Sequence, residues 1–129
     1  MIEISQQAKL FDLAEAKALL PTVAKITQGH YQNWLPIKLR LQKMLSNDPR
    51  RARLECEYES QVDQWRAKIK RVGALPVGLW VVDFDVGEGS LNWQFPELSL
   101  AFFRPNDAPR AGRIKLRDYI ESHDPDWAI

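Results

Sequence analysis

The sequence predicts an α+β fold: an antiparallel helical hairpin with a short N-terminal helix, packed on a three-stranded antiparallel β-meander. Three observations predict it. Apolar residues recur every three or four positions from Val23 to Leu45, and again from Leu54 to Val72. The period then drops to two from Leu79 to Phe95, with a glycine-flanked turn at Gly87-Glu88-Gly89 in the middle. The stretch Ser46-Asn47-Asp48-Pro49 between the helical stripes is short, so the helices should return antiparallel.

Residues 1–10 show no clear period and read as an arm, and residues 11–73 form the helical part. The first helix starts at Asp12, three residues before Glu15, in the pattern of a capping box, with Phe11 placed as a hydrophobic staple. Pro21 either kinks this helix or opens a second one, which is why a short first helix is expected. The next stripe runs through Val23, Ile26, His30, Trp34, Ile37, Leu41 and Met44, with a bend expected at Pro36. Asp48 and Pro49 suit the N-cap and first position of the following helix. That helix carries Leu54, Tyr58, Val62, Trp65, Ile69 and Val72, and Gly73 ends it.

The β-meander occupies residues 76–104. Alternation puts Trp80, Val82, Phe84 and Val86 on one face, with Asp83 and Asp85 opposite; the return strand adds Leu91, Trp93 and Phe95 to the apolar face. Leu98–Phe103 is the third candidate strand. Residues 105–129 read as a loop-rich tail with a short helix at Arg117–Ser122, and the whole of 1–129 as one domain.

Composition narrows the function classes. No run of about 18 apolar residues exists, so no membrane partner is expected, and the N-terminus lacks the pattern of a secretory signal. A lone cysteine, Cys56, allows no internal disulfide and fits a reducing cytoplasm; Glu55 and Glu57 beside it make it a poor nucleophile. His30 and His123 lie far apart in sequence, so neither a metal site nor a cofactor is expected. No phosphate loop, dinucleotide fingerprint or nucleophile elbow is present. Net charge is only +1, which argues against nucleic acid. Charge is nevertheless segregated: residues 38–71 hold ten basic and five acidic residues, and residues 78–107 one basic and five acidic. Opposite signs on two parts of one chain suggest either that those parts face each other or that copies attract. Because the stripe through Trp34, Ile37 and Leu41 exceeds what three short strands can cover, a homodimer is expected, with those residues as candidate interface.

Asp83 and Asp85 share a strand face and could in principle chelate a cation, but alternation alone places polar residues there, and the solvated reading is preferred. The densest polar group is Glu97, Arg104, Asp107, Arg110 and Arg113, a candidate anion or ligand cleft. Arg113 is expected to be held by Glu97 or Asp107.

Two stretches resemble a known family. FDLAEAKALLP is similar to the opening of the bacterial family catalogued as domain of unknown function 2203, and LNWQFPELSLAFFRPNDAPRAGR to its second signature. Leu91, Trp93, Glu97, Asp107, Ala111, Gly112 and Arg113 match that signature in spacing, and Gly78, Leu79, Asp83 and Phe84 resemble a further short motif. Phe103-Arg104 replaces the family's Trp-His, Asn92 its cysteine, and Pro96-Glu97 its Gly-Glu. The family has no established activity, so the resemblance implies a fold and an emphasis on Glu97–Arg113 rather than a chemistry. The sequence therefore reads as a non-enzymatic, self-associating or partner-binding cytoplasmic module. The alternative is a small-anion-binding protein or weak hydrolase using Glu97, Arg104, Asp107 and Arg113.

Overall fold

The computed structural model describes residues 9–107 and 112–129. In chain order it contains α1 (Leu13–Lys43), α2 (Arg51–Arg71), β1 (Leu75–Gly78), β2 (Val81–Asp85), β3 (Gly89–Gln94), β4 (Phe102–Pro105), β5 (Ile114–Lys115) and α3 (Leu116–His123), then a short 3₁₀ turn at Asp126–Ala128. The sheet is antiparallel throughout, in the order β1-β2-β3-β4-β5.

The capping box is formed: the Asp12 carboxylate accepts the Glu15 N–H at 2.7 Å, and the Glu15 carboxylate accepts the Asp12 N–H at 3.0 Å. From there α1 runs unbroken for 31 residues, so the separate short helix expected ahead of the hairpin is absent. Both internal prolines are exposed, as are Lys17 and Gln32, whose carbonyls lose their usual donors; solvent can serve those carbonyls, so the helix continues. Its last turn is held from the next helix, where Arg51 Nη1 donates to the carbonyls of Leu41 and Met44. Helix α2 begins at Arg51, slightly later than the sequence pattern suggested. Asp48 accepts the Arg50 N–H just before it, and the hydrogen bond from the Arg50 side chain leads in holding its carboxyl down at about 2.

Contacts between the helices pair Leu41 with Arg51, Trp34 with Tyr58, His30 with Gln61 and Thr27 with Trp65, so the two run antiparallel. The sheet packs on this pair through Val82, Phe84, Leu91, Trp93 and Phe103, all fully buried. Trp80 joins the layers, with its ring 5.0 Å from Trp65 and 5.3 Å from Trp34. Gly89 is required where β3 meets β4, because a Cβ there would collide with the Phe103 ring and the Arg104 carbonyl.

The sheet has five strands rather than the expected three. β1 carries Pro76 and a register shift, and β5 is two residues long, so neither displays a legible alternation. The tail read as loop-rich also supplies β5, while the short helix expected at Arg117–Ser122 is present as α3. Phe103 stacks on Tyr119 and Trp127, which draws that tail onto the sheet. No helix among the described residues is long and apolar enough to cross a membrane.

Trp93 is fully buried and also donates its indole N–H to the Glu97 carbonyl at 2.7 Å. Trp93→Ala should cost about 3–5 kcal/mol in a urea denaturation experiment. A loss below about 1 kcal/mol would show that the sheet does not rest on this ring.

Candidate functional site: a buried carboxylate network on the outer sheet face

The face of the sheet turned away from the helices is not simply solvated. Asp83 on β2 and Asn92 on β3 are direct cross-strand partners, and each is only 2% exposed. This corrects the expectation that Asp83 faces water. Alternation does put it opposite the aromatic core, but side chains from later in the chain cover that face.

Asn92 Nδ2 donates to Asp83 Oδ1 at 2.6 Å, and Arg104 Nη2 on β4 donates to Asp83 Oδ2. Asn92 Oδ1 in turn accepts from Arg113 Nε at 2.7 Å, and its backbone carbonyl accepts from Arg113 Nη2 at 3.2 Å. The remaining donors of Arg113 form a fork on Glu97: Nη1 to Oε2 at 2.8 Å and Nη2 to Oε1 at 2.7 Å. Glu97 also accepts the Gln94 N–H at 2.8 Å, and the Arg113 guanidinium stacks on the Phe102 ring at 3.9 Å. The result is one chain of hydrogen bonds, Arg104–Asp83–Asn92–Arg113–Glu97, running across β2, β3 and β4 to the residue before β5.

This arrangement decides what the expected cleft residues can do. Arg113 is held by Glu97, one of the two carboxylates expected, and each of its three guanidinium nitrogens already has an acceptor. Arg104 is bonded to Asp83 rather than to Glu97 or Asp107; its side chain remains 43% exposed, while its buried Nε lacks a partner. Asp107 is exposed and, among the described residues, in no ion pair. Arg110 lies outside the described residues. Two members of the network, Asp83 and Asn92, were missed as site residues. The signal that could have found them is register: a hairpin turning at Gly87-Glu88 sets Asp83 opposite Asn92.

Burial on its own raises the Glu97 carboxyl. The hydrogen bonds from Arg113 and from the Gln94 N–H, with the Arg113 charge, outweigh it, so Glu97 titrates below the ordinary glutamate range.

The other residues singled out in the sequence lie elsewhere. Asp85 accepts the Gly87 N–H at 2.8 Å and shapes the β2–β3 turn, and Glu88 at its tip accepts the Trp127 indole N–H at 2.7 Å. His30 is buried between α1 and α2 against Gln61, and His123 is exposed and stacked on Tyr119. Among the described residues no three His, Cys, Asp or Glu side chains are grouped to hold a metal. Trp34, expected at an interface, is 2% exposed because Trp80, Tyr58 and Tyr31 of its own chain surround it; Ile37 and Leu41 stay partly exposed.

Among known families, the model described as "Uncharacterized conserved protein (DUF2203)" aligns with residues 9–116, most of the chain and every member of the network. The chain belongs to the DUF2203 family. No curated protein and no solved structure matches it. In this DUF2203 protein, Asp83 comes from one stretch of the family resemblance and Glu97 and Arg113 from another, and the three meet in one network.

Two outcomes check the geometry. Asp83→Asn should cost about 1.5–3 kcal/mol, since it removes the buried charge that holds Arg104. Asp85→Asn should stay within about 0.5 kcal/mol, because an amide oxygen can still accept the Gly87 N–H. Denaturant midpoints that rank the two the other way would overturn the assignment.

Arg113→Lys should lower stability at neutral pH by about 1–2 kcal/mol, because an ammonium cannot reproduce the fork. The folded-state pKa of Glu97 is depressed, so its contribution is full above the unfolded glutamate pKa of about 4.3 and is lost as pH falls through the folded value. The stability gap between wild type and Glu97→Gln should therefore begin to narrow as pH falls below about 4.3 and close once pH is below the depressed folded value. A gap that persists in acid would exclude the ion pair as its source.

Proposed function

We propose that the protein is a non-enzymatic, cytoplasmic module that self-associates through the free end of its helical pair. One observation carries this reading: the helices run on beyond what the sheet covers. Between Leu35 and Glu57 only Leu54 is buried, while Leu39 is 47% and Leu45 74% exposed and Ile37 and Leu41 are partly open. That end is also basic. Arg50, Arg51 and Arg53 pair with Asp48, Glu55 and Glu57, which leaves Lys38, Arg40 and Lys43 as excess positive charge.

The opposite end of α1 lies beside the β2–β3 turn, since the Phe11 N–H donates to the Asp85 carbonyl. Asp85 and Glu88 gather there with Asp107 and Asp126, brought in by the Asn106 and Trp127 contacts to Glu88. Two basic ends repel, so a head-on pairing is disfavoured. An antiparallel, side-by-side two-fold pairing instead sets each basic end against the acidic turn of the other copy. The arginines of the outer sheet face support the non-enzymatic half of the reading. Arg113 makes four hydrogen bonds, all to Glu97 and Asn92, and Arg104 holds Asp83, which is the chemistry of a strut.

Sedimentation velocity at micromolar concentration tests the proposal. In about 50 mM salt a dimer should dominate, and about 500 mM salt should shift it toward the 14.9 kDa chain, because exposed charges are screened. The double change Arg40→Glu and Lys43→Glu should weaken the dimer about tenfold or more without lowering the melting temperature. A 14.9 kDa species alone at both salt concentrations would refute self-association.

A further inference from the structure

Beside the carboxylate network, and sharing Phe102 with it, a groove of about 510 Å³ opens between the first turns of α1, the β4–β5 pair and α3. Its size is that of a small-molecule site. The floor is apolar: Leu100 and Leu116 are each 5% exposed, and Leu13, Phe102 and Ile120 are partly covered.

The rim has the opposite character. Lys17, Lys115 and Arg117 stand exposed around it, with Glu121 the one acidic lining residue. None of these cations joins an ion pair among the described residues, whereas Arg50, Arg51, Arg53, Arg104 and Arg113 all do. Helix α3 also starts here, at Leu116, with no side chain capping it, so the positive end of its dipole adds to theirs. Three unpaired cations beside an apolar surface repel one another, and an anion placed among them removes that repulsion.

We propose that this groove binds a soluble amphiphilic carboxylate, an unbranched acyl chain of medium length. The acyl chain lies on Leu13, Leu100, Phe102, Leu116 and Ile120, and the carboxylate accepts hydrogen bonds from Lys17, Lys115 and Arg117. Charge complementarity selects the head group and the apolar floor selects the tail. An alcohol of the same length loses the first, and inorganic phosphate loses the second. The site does not depend on self-association, since its lining is supplied by one chain.

Isothermal titration calorimetry on the full chain tests this with hexanoate, octanoate, decanoate and dodecanoate below their micelle thresholds. Affinity should rise about fourfold for each added methylene until the floor is covered. Decanol should bind at least tenfold more weakly than decanoate, and inorganic phosphate should give no heat. The exposed double change Lys115→Glu and Arg117→Glu should cut decanoate affinity at least tenfold at an unchanged melting temperature. Ile120→Asp should remove the dependence on chain length. Equal affinity for decanol and decanoate, or no response to the rim charges, would overturn the proposal. So would binding to anionic phospholipid vesicles without uptake of free decanoate, which would make the patch a membrane contact instead.

Discussion

Trp80 ties the three parts of this fold together, and it does so from an unfavourable backbone position. Its φ is +61°, a left-handed conformation that costs a bulky residue on the order of 1–2 kcal/mol. The surrounding packing over-determines that position. Its ring meets Tyr31 and Trp34 from α1 and Trp65 from α2 edge-on, and its carbonyl accepts the Phe95 N–H from the end of β3. The chain therefore turns from β1 into β2 at the spot where both helices and the sheet share one aromatic cluster. Shifting that turn would detach the sheet from the helical pair, so the orientation of β2, and with it the placement of Asp83, depends on this contact.

The outer face then specifies what the aromatic cluster leaves open. A buried carboxylate is tolerable only when its lone pairs are satisfied, and Asn92 and Arg104 do that for Asp83. Because the pair sits directly across β2 and β3, a one-residue slip would carry Asp83 into the aromatic core and Phe84 out of it. The network therefore contributes register as well as stability, and Arg113 carries it to the residue before β5. One face of the sheet is closed by aromatic rings and the other by guanidinium groups.

How much of this was legible in the sequence depended on how local the cause was. The start of α1 was legible because Asp12 and Glu15 form a complete cap within four residues. The alternation of Val82, Phe84, Leu91 and Trp93 gave the apolar face for the same reason. Pro21 misled because a proline signals a lost hydrogen bond, and the residue alone does not say that the freed carbonyl faces solvent. β1 and β5 were illegible because each is a strand only by virtue of its neighbour. Within the candidate site, the Arg113–Glu97 pair could be anticipated from charge and flanking small residues. The burial of Asp83 could not, since alternation says which face a residue takes and nothing of what later covers that face. Trp34 failed as an interface residue for a related reason: its stripe is apolar, but Trp80 from the sheet had already claimed it.

The weak strands at the two margins of the sheet have a bearing on how this protein avoids pairing with foreign strands. An exposed strand edge is an unfinished row of donors and acceptors that another chain can extend. Here one margin is β1, four residues broken by Pro76 and an irregular register, and the other is β5, a mere two residues leading straight into α3. Neither offers a template long enough to recruit a foreign strand. The lengths that made these elements hard to find in the sequence are the same lengths that protect the molecule against runaway cross-β stacking.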